Sequence, residues 1–144
     1  MNTKTILTLF LIASSIFATA QKQQRKAKLP NEATTFLEAN FKGIEIQEAK
    51  KELEGTLLRY KVKLVNGSEI EFNNRGRWKA LESKTVSLPT SMLQESVGHY
   101  IQKNYSGAKI TKIKKGIRFN FLEINNETML QFDTEGNFYK IMEN

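Results

Sequence analysis

The stretch RYKVKLVNGSEIEFNNRGRW, Arg59 to Trp78, decides the fold. Tyr60, Val62 and Leu64 alternate with Arg59, Lys61 and Lys63, and Ile70 and Phe72 alternate with Glu69 and Glu71. A period of two puts one set of side chains on each side of a strand. Asn66-Gly67 sits between the two runs and predicts a tight hairpin, in which both central residues must tolerate positive φ. Asn73-Asn74-Arg75-Gly76 marks a second turn, and Trp78 opens the next strand. The stretch reads as an antiparallel meander with one apolar and one charged face.

Upstream the period changes. After Pro30, the residues Ala33, Phe36, Leu37 and Phe41 fall on one helical face. Proline suits a first helical turn, where its missing N–H has no partner to lose. Gly43 near the helix end can take the left-handed C′ conformation. Ile44 and Ile46 then begin a short strand.

The same order recurs. Leu29-Pro30 returns as Leu88-Pro89, FLEANFKGIEI (36–46) as YIQKNYSGAKI (100–110), and VNGSEIEFNNRGRWKAL (65–81) as NNETMLQFDTEGNFYKI (125–141). Asn40/Asn104, Gly43/Gly107, Ile46/Ile110, Asn66/Asn126, Phe72/Phe132 and Gly76/Gly136 are identical pairs. Ordered matches of this kind are the mark of an internal repeat. The spacing gives the second copy a helix five residues longer and a following segment four residues shorter. That helix is read from Pro89 onward, with Leu93, Val97, Tyr100, Ile101 and Tyr105 on one face. Phe119 and Phe121 followed by Leu122 and Ile124 change parity, which predicts a β-bulge. Each copy is therefore one helix and about four antiparallel strands. The expectation is an α+β fold, a tandem repeat forming one extended sheet with both helices on one face.

The N-terminus reads as an export signal. Lys4 precedes an apolar run from Ile6 to Phe17, and Ala18-Thr19-Ala20 matches an A-x-A cleavage site. The expected division is 1–20 signal peptide, 21–28 basic flexible tail, 29–83 first repeat and 87–144 second repeat, with no transmembrane segment after cleavage. The mature protein is expected in the periplasm or outside the cell. The chain has no cysteine, so an apolar core alone must hold it.

Net charge is +7, but Lys22, Arg25, Lys26 and Lys28 concentrate it in the tail, and residues 29–144 are nearly neutral. A nucleic-acid domain carries its basic excess on the folded surface, so no nucleic-acid partner is expected. The catalytic inventory is poor: no cysteine, one histidine (His99) and one aspartate (Asp133). A general base needs an orienting partner and a substrate site, and His99 lies beside an apolar stripe without either. Asp133-Thr134-Glu135-Gly136 lacks the alternating ligands of a calcium loop and reads as a turn. No enzyme activity, cofactor or metal is expected.

The order LP, amphipathic helix, Tyr60-x-Val62-x-Leu64, Asn66-Gly67, Glu69-Ile70-Glu71-Phe72, Asn73-x-x-Gly76 and Trp78 resembles PepSY-like domains, the β-lactamase-inhibitor-like group of secreted proteins. The second copy matches more loosely, with Asn125-Asn126 at the turn and Phe138 for the tryptophan. The resemblance implies a fold like that of the β-lactamase inhibitor protein and an exported, protein-binding or inhibitor-like role. The candidate docking surface is the polar sheet face: Arg59, Lys61, Lys63, Glu69, Glu71, Arg77 and Lys79 in the first copy, and Arg118, Asn120, Gln131, Asn137 and Tyr139 in the second. The partner expected there is an envelope or secreted protein or peptide. The alternative is a sensor or adaptor for an anionic envelope component or small ligand.

Overall fold

The computed structural model describes residues 26–142. The expected export signal and cleavage site, and tail residues 21–25, lie outside the described residues. The elements run α1 (Asn31–Asn40), β1 (Ile46–Glu54), β2 (Leu57–Leu64), β3 (Glu69–Asn73), β4 (Trp78–Glu82), a 3-10 turn (Thr90–Met92), α2 (Glu95–Asn104), β5 (Ile110–Lys115), β6 (Phe119–Ile124), β7 (Thr128–Asp133) and β8 (Phe138–Met142). All eight strands form one antiparallel sheet in sequence order. No helix among the described residues is long and apolar enough to cross a membrane.

Register explains the core. Directly paired residues share a sheet face, and one row crosses the whole sheet: Ala49, Val62, Ile70, Leu81, Ile113, Leu122, Leu130 and Ile141. All but Ile141, on the outermost strand, are buried. Helices of ten residues are marginal in isolation, so packing against the sheet stabilises them. Phe36 of α1 meets Phe72 edge-on at 5.7 Å and lies 5.9 Å from Trp78. Tyr100 of α2 meets Phe132 edge-on at 5.4 Å and stacks on Phe138 at 4.6 Å.

The central seam is β4 against β5, with Leu81 opposite Ile113. The connecting segment is tied down on both sides. Ser83 N–H donates to Thr111 O at 2.8 Å, Leu88 N–H to Ile110 O at 2.8 Å, and Thr85 Oγ1 to Asn66 O at 2.8 Å. Ahead of α1, Ala27 N–H donates to Ala49 O at 2.9 Å, laying the described end of the basic tail along the β1 edge.

Three expectations need correction. The helix after Pro89 is no longer than the first: both α1 and α2 have ten residues. The extra residues make the 3-10 turn and an extended Leu93 (φ −83°, ψ 154°). The strand after Ile44 is not short, since β1 has nine residues. The four additional residues of the first half lengthen the β1–β2 hairpin. No bulge interrupts β6, which pairs with β7 without a break from Phe119 to Ile124. Leu122 and Ile124 take the core face, and Phe119 and Phe121 take the other.

The turn chemistry is also redistributed. At Asn66-Gly67 only Gly67 has positive φ, and Asn66 Oδ1 accepts the Ser68 N–H at 3.0 Å. The two-residue turn with both φ values positive lies in the second half, at Asn125 (55°) and Asn126 (59°). Asparagine is among the few side chains that accept this region.

The β3–β4 and β7–β8 turns are built alike. Asn73 Oδ1 accepts the N–H groups of Arg75 and Arg77, both at 3.0 Å. Asp133 Oδ1 accepts those of Glu135 at 3.0 Å and Asn137 at 2.8 Å, and Oδ2 accepts Asn137 Nδ2 at 3.0 Å. The Asn137 side-chain donor, helped by the backbone N–H groups, holds the Asp133 carboxyl below its ordinary value. A carboxyl depressed on folding adds stability above its unfolded pKa, and that stability is lost as pH falls through the folded value. Asp133→Ala is therefore expected to melt lower at neutral pH. Asp133→Asn, which keeps the backbone acceptor as Asn73 does, is expected to melt near wild type with a shallower acid limb. Thermal melts between pH 2 and 7 check both; an unchanged acid limb in the asparagine variant contradicts the assignment.

Candidate functional site

The sheet face that carries Lys61 and Phe121 is the candidate docking surface. In its first half, charged side chains come from β1, β2 and β3 in facing register: Lys61 lies between Lys50 and Glu71, and Lys63 between Glu48 and Glu69. The pleat that buries Tyr60, Val62 and Leu64 necessarily turns Arg59, Lys61 and Lys63 outward.

These charges are largely satisfied among themselves. Lys50 pairs with Glu48 at 3.0 Å, Lys61 with Glu52 at 2.7 Å, Lys63 with Glu69 at 3.6 Å, and Lys112 with Glu82 at 3.0 Å. Arg59 is held between Glu54, with Nε 2.6 Å from Oε2, and Glu71. The Lys61 ammonium donates to Glu52 and lowers the pKa of that carboxyl, while Glu52 raises that of Lys61. Exposed pairs of this kind add little stability and are screened by salt. Their consequence is geometric: the first half of the face presents a neutralised lattice over a depression of about 370 Å³ that contains Lys61, Glu71 and Ala80.

The second half differs. Phe119 occupies the register position opposite Asp133, and its ring lies 5.0 Å from that of Tyr139. Phe121 stands between Lys114 of β5 and Gln131 of β7. Tyr139 is 60% exposed. Aromatic side chains replace the charges of the first half at matching positions: Phe119 for Arg59, Phe121 for Lys61 and Tyr139 for Lys79.

The structure brings Arg59, Lys61, Lys63, Glu69 and Glu71 together on one face, as expected, and places Lys79 at its margin beside Arg59. Gln131 lies in the same row but is buried. The other expected members are elsewhere. Arg77 turns to α1, with Nε 3.4 Å from Glu32 Oε1. Asn120 shares the parity of Leu122 and lines a helix-side groove with Trp78, Val97 and Phe132. Arg118 is exposed in the β5–β6 hairpin, and Asn137 is used by the Asp133 turn. Phe119 and Phe121 were missed because both pairs of apolar residues in β6 competed for the core. The signal that separates them is spacing: Leu122 and Ile124 match the parity of a strand feeding directly into the Asn125-Asn126 turn. His99 is exposed on α2. Among the described residues no group of three or more metal-ligating side chains comes together.

Comparison with known proteins agrees with this architecture. Residues 58–140 match the family described as "Putative beta-lactamase-inhibitor-like, PepSY-like". The fold is similar to a "putative calcium-regulated periplasmic protein" of Bacteroides thetaiotaomicron, with TM-score 0.77 and 28% identity over 81% of this chain and 91% of that one. It is also similar to a "putative periplasmic protein of unknown function" from Bacteroides vulgatus, with TM-score 0.77 and 30% identity over 81% and 93% of the two chains. A second "putative periplasmic protein" of Bacteroides vulgatus gives TM-score 0.75 and 27% identity over 80% and 91%. None of the curated proteins matches the chain.

Proposed function

We propose a role for a chain that belongs to the PepSY-like family: it is an exported, non-catalytic binding module that docks a protein or peptide on its open sheet face. One observation carries this reading. The face holds the aromatic residues Phe119, Phe121 and Tyr139, with the Phe119 and Tyr139 rings 5.0 Å apart, beside a self-neutralised charged lattice. Tyrosine and arginine are frequent interface anchors, and an aromatic cluster beside charge-paired residues resembles an interface core with a polar rim. Arg59, Lys61, Lys63, Glu71 and Lys79 would form that rim.

The module is built, in this reading, from two copies of one unit, residues 29–83 and 87–144, with both helices on one face. The shared row of buried residues from Ala49 to Leu130 and the matched ring contacts of Phe36 and Tyr100 support it. Residues 1–20 would direct export. The relatives described as periplasmic support that location.

A photo-crosslinking residue at position 121 or 139, carried by the full-length protein in its producing cells, tests the reading. Discrete adducts are expected at both positions and none at Glu38, on the outer side of α1. Adducts at Glu38 alone, or at none of the three, would sink it.

A further inference from the structure

Three hairpins meet at one end of the open face. In an antiparallel meander the β1–β2, β3–β4 and β5–β6 turns lie at the same end. Glu54 from the first and Ile117 from the third both line a recess of about 230 Å³, whose floor includes Arg59, Glu71, Lys79 and Lys114. Ile117 is 97% exposed at its rim. Lys115, from the same hairpin, turns its ammonium to the helix side, 3.5 Å from the centre of the Trp78 ring.

The charges do not balance. Three cations, Arg59, Lys79 and Lys114, face two carboxylates, and both carboxylates are engaged by Arg59. Among the described residues, Lys79 and Lys114 form no ion pair. Burial, and then repulsion from Lys79, push the Lys115 ammonium below its ordinary pKa. An anion entering the recess would offset the uncompensated charge of Lys79 and Lys114.

We propose that this recess binds a carboxylate carried by an extended acidic segment of the partner; the proposal rests on the open-face reading above and names the chemistry of its partner. Two features favour a peptide carboxylate over free phosphate. The Arg59 fork, the group suited to bidentate phosphate binding, is already held from two sides by glutamates, leaving lysine point charges. Phe121 also lies directly opposite Lys114 across the β5–β6 ladder. Side chains two residues apart on an extended segment lie about 7 Å apart on one side. A carboxylate and an apolar side chain at that spacing reach the recess and the ring together.

Calorimetric titration of the mature protein tests this with three probes: a blocked eight-residue peptide that repeats Asp-Ser-Phe-Ser twice, so that Asp and Phe stand two residues apart on one side, its Asn-for-Asp counterpart, and inorganic phosphate. The Asp peptide is expected to bind at least about tenfold more tightly than the Asn peptide. The double variant Lys79→Glu, Lys114→Glu should remove that advantage without weakening the Asn peptide. Phe121→Ala should weaken both peptides, and Lys84→Glu, in the segment joining β4 to α2, should change neither. Unaltered melting temperatures establish that the variants are folded. Equal affinity for the two peptides overturns the carboxylate site and leaves open-face docking standing. Phosphate binding that depends on Lys79 and Lys114, with no peptide binding, replaces it with a phosphate site. Failure of all three probes overturns the acidic-segment proposal; the crosslinking result then decides open-face docking separately.

Discussion

Phe72→Ala is expected to cost about 4 kcal/mol of stability. The ring is fully buried, and Phe36 of α1 packs edge-on against it at 5.7 Å. Truncation removes the transfer free energy of the ring and leaves a cavity that the sheet backbone cannot collapse around. Such a loss is a large share of the roughly 5–15 kcal/mol that separates folded from unfolded domains. Phe132→Ala is expected to behave alike, because Tyr100 and Phe138 pack on that ring in the same manner. Phe121→Ala, on the open face, is expected to cost much less. Urea titration measures all three, read as a lowered midpoint at constant slope. A loss below about 1.5 kcal/mol for Phe72→Ala, where Phe→Ala substitutions in cores usually cost about 3–5, would mean that α1 does not dock on this ring.

Gly76→Ala is expected to cost about 3 kcal/mol, combining backbone strain with steric overlap. Gly76 sits at φ +87°, and a β-carbon there would stand 2.7 Å from the backbone nitrogen of Ala33. That nitrogen belongs to the first turn of α1 and donates to Pro30 O at 3.0 Å, so it cannot move without shifting the helix start. Gly136 has the same φ, but its β-carbon would meet side-chain atoms, Ser96 Oγ and Gln94 Oε1. Those side chains can rotate away at the cost of their bonds to Glu135 O and Thr134 O. Gly136→Ala is therefore expected to be the milder change, about 2 kcal/mol. Thermal melting ranks the two variants. The reverse order would show that the β7–β8 turn is the more rigid seat.

Much of the architecture was legible because period and turn chemistry are local. The alternation around Val62 and Ile70 placed two strands and assigned their faces correctly. The asparagine and aspartate turns before Gly76 and Gly136 were read as turns, and the hydrogen bonds of Asn73 and Asp133 give the reason. Leu93 shows where periodicity misleads. It continues the helical spacing of Val97, yet it packs against the core from an extended backbone. A side chain at helical spacing needs a route to the core, and a helix is one of several. In β6 both parities were apolar, so composition offered no decision; the spacing of Leu122 and Ile124 to the Asn125-Asn126 turn carried the signal, and pairing with β5 and β7 fixed it.

By itself, the sequence determined the alternating strands, the amphipathic helices and the concentration of basic charge before residue 29. These follow from backbone geometry and side-chain polarity within a few residues. Only the tertiary structure decided that Phe119 and Phe121 share a surface with Lys61, and that β4 and β5 close the sheet into one. The recess too is a tertiary product. Arg59, Lys79 and Lys114 are far apart along the chain, and antiparallel register sets them around one small volume. Charge excess there depends on which cations find carboxylate partners across the sheet, and that follows from strand register.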